Sequence, residues 1–121
     1  MRFLLVTRDD EIADAAKTAF DRSDTLEVFS DWKLALESAE GADMMFIDLL
    51  ATLEEPHKIA GYERFAHAKM AHTHAASVPL VLIAAPHDYE LDFMSGWPDF
   101  VLAQLRRPVQ EKVFRRAATW I

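Results

Sequence analysis

Cysteine is absent from the 121 residues, which removes disulfide scaffolds, thiolate metal sites and cysteine nucleophiles together. Glycine occurs only three times, so no glycine-rich loop is available to cradle a phosphate, and a flavin-binding loop is not expected. The longest apolar runs reach five or six residues. A membrane-spanning helix needs about 20, and a signal peptide needs about 7 to 15 apolar residues near the N-terminus. Positive charge is also short: 13 basic residues face 20 acidic ones, a formal charge of −7. Direct nucleic-acid binding is therefore not expected of this domain. No Ser-His-Asp spacing or nucleophile elbow is present. The expectation is a cytoplasmic protein with one domain spanning residues 1–121 and no membrane contact.

Half of the chain (51%) is apolar, enough for a packed core, and the apolar residues come in a rhythm. Five short runs are each followed by helical spacing. RFLLV (Arg2–Val6) precedes Ile12, Ala16, Ala19 and Phe20, which share one helix face, with Asp9 or Asp10 placed to cap it. TLEVF (Thr25–Phe29) precedes Trp32, Ala35, Leu36 and Ala39, with Gly41 placed to end that helix. MMFI (Met44–Ile47) is apolar throughout, as a strand covered on both faces would be. A polar loop then leads to a third helix whose predicted inward face is Ile59, Tyr62, Phe65, Ala66 and Met70. VPLVLIA (Val78–Ala84) is the fourth strand, followed by a short helix near Tyr89–Met94; the fifth strand covers about Phe100–Leu105. Pro108 is placed to open a last helix, on which Val109, Val113, Ala117 and Ile121 repeat every four residues.

Strict alternation with apolar central strands predicts an α/β fold: a flavodoxin-like (βα)5 doubly wound parallel sheet of strand order 2-1-3-4-5. Chemistry in such sheets gathers at the carboxyl ends of the strands beside the switch point. That rule selects Thr7, Arg8, Asp9 and Asp10 after strand one, Asp48 at the end of strand three, Ala84 at the end of strand four, and Arg107 after strand five.

The succession of RFLLV, an acidic segment, DMMFID (Asp43–Asp48), VPLVLIA and Arg107-Pro108 resembles the receiver domain of two-component response regulators over nearly the whole chain. The resemblance implies that Asp48 stands at the phospho-acceptor position and that a histidine kinase, an effector or a second domain is the partner. It also implies a cis bond before Pro108, an aromatic switch residue at the place of Gln104, and a Mg2+ held by an acidic pair directly after strand one. Several of those features are altered. The two positions after strand one are Thr7 and Arg8, and the acidic pair Asp9-Asp10 comes two residues late. A hydroxyl expected at the end of strand four is replaced by Ala84, which cannot donate a hydrogen bond. The family lysine before proline is Arg107, longer, planar and bidentate.

This combination points to an atypical receiver, a pseudo-receiver that signals through protein contact without regulated phosphorylation and without a cofactor. An Arg8–Asp48 or Arg107–Asp48 pair is expected to stand in for the cation. Two alternatives remain open: a phosphorylatable receiver in which Asp9 and Asp10 assist a weak Mg2+ site, and a flavodoxin-like domain that binds a small ligand. Arg106, Arg107, Lys112, Arg115 and Arg116 lie close together with only Glu111 opposing them. Together with Trp97 and Trp120 they form a candidate partner surface, with homodimerisation through the fourth helix, fifth strand and fifth helix as one form of it. The domain equally suits the N-terminal position in a longer regulator.

Overall fold

A computed structural model describes residues 1–20, 24–52, 60–84 and 101–121. Its strands are β1 (Arg2–Val6), β2 (Thr25–Phe29), β3 (Met44–Asp48), β4 (Leu80–Ala84) and β5 (Val101–Arg106). They form one parallel sheet in the order β2-β1-β3-β4-β5, as the alternation of elements predicts. Helices α1 (Asp10–Ala19), α2 (Trp32–Glu37), α3 (Ala60–Ala71) and α4 (Glu111–Ala117) accompany it, with a 3-10 turn at Leu49–Ala51 directly after β3. The short helix expected near Tyr89–Met94 lies outside the described residues, so α4 is the helix that the sequence places fifth.

Alternation along the central strands sorts the core into two layers. Leu4, Val6, Met45, Ile47, Leu80 and Leu82 pack with Ala35 and Leu36 of α2 and with Tyr62, Phe65 and Ala66 of α3. Phe3, Leu5, Met44, Phe46, Val81 and Ile83 pack with Ile12 and Ala16 of α1 and with Phe114 and Ala117 of α4. Aromatic rings tie the second layer. Phe3 stacks on Phe20 with centroids 4.3 Å apart, and Phe114 meets Phe46 edge-on at 5.1 Å. Each buried ring contributes on the order of 2 kcal/mol by area. This layer therefore fixes α1 and α4, the two helices that flank the residues of the site.

Local chemistry sets the helix ends. Asp9, rather than Asp10, caps α1, its side chain accepting from the Glu11 amide at 2.9 Å. Asp31 caps α2 in the same way, accepting from Lys33. Helix α2 stops at Glu37, and Gly41 instead forms the turn into β3, with φ at 77°. The last helix starts at Glu111 with Gln110 at its N-cap, so Pro108 precedes it and does not open it; the Arg107–Pro108 bond is cis. Val109, Phe114 and Ala117 are buried there, while Ile121 is exposed.

Two further differences have packing causes. Met70 is exposed, and Lys69 takes the inward place on α3, completing the i, i+3, i+4, i+7 face with Tyr62, Phe65 and Ala66. Its ammonium is accommodated by donating to the Val78 carbonyl at 2.6 Å. Strand β5 runs one residue further than expected, to Arg106. Leu80 pairs with Val101 and Val81 with Ala103, so Leu102 is a bulge that absorbs the extra residue and is exposed.

Candidate functional site

Asp48 ends β3, and its register partner is Ile83 on β4. The residue is only 1% exposed, so its carboxylate must find partners inside the protein. It finds four. Oδ1 accepts from the Leu50 amide at 3.1 Å and from Arg107 Nη1 at 2.9 Å; Oδ2 accepts from the Thr7 hydroxyl at 2.8 Å and from Arg107 Nη2 at 2.9 Å. An ionised carboxylate offers about four lone-pair sites, and here each has a donor.

Each donor is held from its own strand. Thr7 follows β1 directly and extends its ladder, its amide donating to the Phe29 carbonyl of β2 at 2.9 Å. Its hydroxyl accepts from the Asp9 amide at 3.0 Å while donating to Asp48, which fixes the direction of the hydroxyl hydrogen. Arg107 follows β5, and its amide donates to the Ala84 carbonyl at 3.0 Å. The buried Ala84 thus contributes a backbone acceptor to the site and no side-chain donor. The Arg107 guanidinium grips both oxygens of Asp48 and also donates to Asp9 Oδ2 at 2.8 Å. Its side chain is 15% exposed and that of Asp48 2%, so this pair is largely shielded from water and salt. The result is a clasp joining the carboxyl ends of β1, β3, β4 and β5.

Arg107 also acts on Asp9. Its hydrogen bond is the main influence holding the Asp9 carboxyl below the usual carboxylate range, with partial burial opposing it. Asp9 therefore stays ionised, its other oxygen capping α1, and both of its oxygens are engaged.

Of the two arginines expected beside Asp48, the structure brings one there. Arg8 is exposed, and its Nε donates to the Ser30 carbonyl at 3.3 Å on the β2 side. Asp10 is exposed in the first turn of α1, where its charge suits the helix dipole. The donor set does not fit the divalent cation that the receiver fold implies. Thr7 and Arg8 occupy the positions after β1, and the oxygens of Asp9 and Asp48 that face one another across the site share one guanidinium, which would repel a second cation. Among the described residues, no three His, Cys, Asp or Glu side chains come together as a metal site.

Gln104 lies mid-strand on β5 opposite Leu82, in the place where the family resemblance puts an aromatic switch. Lys112, Arg115, Arg116 and Trp120 are exposed at the end of the chain; Arg106 is half-buried, and Arg115 pairs with Glu111 one turn away at 3.1 Å. Trp97 lies outside the described residues. None of the described helices is long and apolar enough to cross a membrane. The residue whose role the sequence left unassigned is Thr7. Its only signal is a hydroxyl two residues before a capping aspartate, a pattern common enough to pass unnoticed.

No protein-family model and no curated protein sequence matches the chain. Solved structures do. The chemotaxis response regulator CheY4 of Vibrio cholerae superposes with a TM-score of 0.72 at 14% identity, over 98% of this chain and 96% of that one. A signal receiver domain of two-component signal transduction from Clostridium thermocellum gives 0.75 at 11% identity, over 98% and 94%. A CheY-like response regulator receiver domain protein from Methanospirillum hungatei gives 0.67 at 14% identity, over 98% and 90%. With the sheet order and this near-complete overlap in agreement, the chain has the CheY-like fold of response-regulator receiver domains.

Proposed function

We propose that this domain is an atypical receiver, acting in the cytoplasm as a protein-contact module in signal transduction without regulated phosphorylation of Asp48. The observation that carries this reading is the closed hydrogen-bond set of Asp48: two bonds from Arg107, one from Thr7 and one from Leu50. A carboxylate that attacks phosphorus must free a lone pair and meet a neutralising cation beside the incoming phosphoryl group. Here the lone pairs are spoken for, and the neutralising charge is a guanidinium already bound to the nucleophile. The missing side-chain donor at Ala84 removes the contact that would hold a phosphoryl oxygen.

On this reading the clasp holds one conformation, and information passes by docking. The exposed basic end, Lys112, Arg115 and Arg116 with Trp120 and the half-buried Arg106, is the surface for an acidic partner or effector, or for a second copy of the domain. Incubation with acetyl phosphate and Mg2+, read by intact mass, tests the chemistry. The expected result is no gain of a phosphoryl group at Asp48. A stoichiometric gain that Asp48→Asn abolishes would establish a phosphorylatable receiver instead.

A further inference from the structure

A second crevice opens at the carboxyl ends of β2, β1 and β3, on the α2–α3 side of the sheet. It encloses about 360 Å3 and is lined by Arg8, Asp31, Trp32, Lys33, Thr52 and Arg64, among others. That volume falls at the lower end of the range of small-molecule sites, roughly 300 to 1,000 Å3. Its place is where open parallel sheets bind ligands, beside the strands at which the winding reverses.

Its charge runs against the rest of the molecule. The whole chain carries −7. Yet among the described residues three cationic side chains line this cavity against the single carboxylate of Asp31. Asp31 is already engaged at its own helix, where Oδ1 accepts from the Lys33 amide at 2.9 Å. Arg8 donates to the Ser30 carbonyl through Nε, and among the described residues neither of its terminal amino groups has a partner. The Lys33 ammonium sits 5.7 Å from the centre of the Trp32 ring and has no carboxylate partner among the described residues. Arg64 also lines the cavity and adds its charge to the field. The Thr52 hydroxyl is used by the Leu49 carbonyl at 2.7 Å. Among the described residues, the unmet hydrogen-bonding capacity at this cavity is thus cationic. It combines a planar fork with a flexible point charge, and a tetrahedral oxyanion satisfies both.

We propose that this cavity binds a small phosphate-bearing ligand, gripped by Arg8 and Lys33 with Arg64 contributing charge. Among the described lining residues the net charge is +2, from three cations and one carboxylate, which matches a phosphate monoester carrying about −1.5 to −2 at neutral pH. The site is separate from the clasp: Asp48 and Arg107 do not line it. Arg8 nonetheless stands between Thr7 and Asp9 in the chain, so a ligand that pulls on it reaches the loop on which the clasp is built.

The test is a titration of the whole chain with inorganic phosphate and, separately, with glycerol 3-phosphate, at constant ionic strength. Amide and indole shifts in 1H–15N NMR spectra report occupancy. Saturable shifts centred on Arg8, Trp32 and Lys33 are expected, with a Kd below about 1 mM for at least one of the two probes. Tighter binding of glycerol 3-phosphate assigns the site to an organic phosphate, and equal binding to the phosphate group alone. Arg8→Gln and Lys33→Gln, both at exposed positions, should each weaken binding about tenfold, one charge-assisted hydrogen bond apiece, while Lys112→Gln should not. The proposal is overturned if shifts fail to saturate, if they centre on Lys112 to Arg116, or if the two cavity variants bind as tightly as the unaltered chain.

Discussion

Replacing Arg107 with methionine removes the guanidinium and keeps most of the side-chain volume. Asp48, whose side chain is 2% exposed in the unaltered protein, then retains only the Thr7 hydroxyl and the Leu50 amide as donors. Breaking a buried pair from one side costs about 3–5 kcal/mol, because a desolvated charge is left without its partner. Arg107 lies at the rim, 15% exposed, so water can follow it in, and the lower end of that range, about 3 kcal/mol, applies. Asp48→Asn should cost about 2 kcal/mol, since Arg107 keeps Asp9 and the amide oxygen still accepts one bond. The double variant carries no unpaired charge at Asp48 and should lose about 3 kcal/mol rather than the sum of the singles, a coupling of about 2 kcal/mol. Urea unfolding followed by tryptophan fluorescence measures all three, provided the slope m is unchanged. In thermal melts the Arg107→Met loss corresponds to roughly 10 °C. Arg107→Met within about 0.5 kcal/mol of the unaltered protein, or singles that simply add, would refute a buried, mutually dependent clasp.

Two other perturbations follow from the same packing. Thr7→Val keeps the shape but deprives Asp48 of a donor and the Asp9 amide of an acceptor; it should cost about 1–3 kcal/mol by urea unfolding, with Thr7→Ser close to the unaltered protein. Burial pulls the Lys69 ammonium from 10.5 down to about 8. The unfolded chain therefore holds that proton over a range where the folded protein releases it, and this residue's contribution to stability rises between about pH 8 and pH 10 and is smallest below pH 8. Lys69→Met should flatten that rise, and an unchanged slope would refute the assignment. The window closes near pH 10, where the buried Tyr62, whose pKa is pushed upward, begins to act in the opposite sense.

The parts of the fold that were legible in the sequence are those written in apolar periodicity. MMFI and VPLVLIA read as doubly covered strands, and β3 and β4 are buried along their whole length. Strict alternation then leaves few topologies for five strands. Lys69 was not legible because a charge at an inward position contradicts the periodicity; the Val78 carbonyl, brought close by the turn before β4, helps make it tolerable there. The bulge at Leu102 was hidden for a similar reason, since registry depends on the neighbouring strand and not on β5 alone. At the site, Asp48 and Arg107 were visible as residue types at strand ends. Which arginine reaches Asp48 was not, because strand order favours Arg8, which follows the strand next to β3, whereas Arg107 reaches Asp48 from two strands away and only side-chain direction brings it there. The double role of Thr7 required knowing that Asp9 caps α1 and points its amide back at the hydroxyl.

The central claim is that Asp48 is closed to phosphoryl chemistry by its own partners. It is tested most directly by titrating the protein with fluoroberyllate in the presence of Mg2+, following backbone amides by NMR. The account predicts no saturable shifts at Thr7, Asp9, Asp48 or Arg107, and no change on Asp48→Asn in the response to the titrant. Saturable shifts localised to those residues, lost in Asp48→Asn, would contradict it and make Asp48 a working phospho-acceptor.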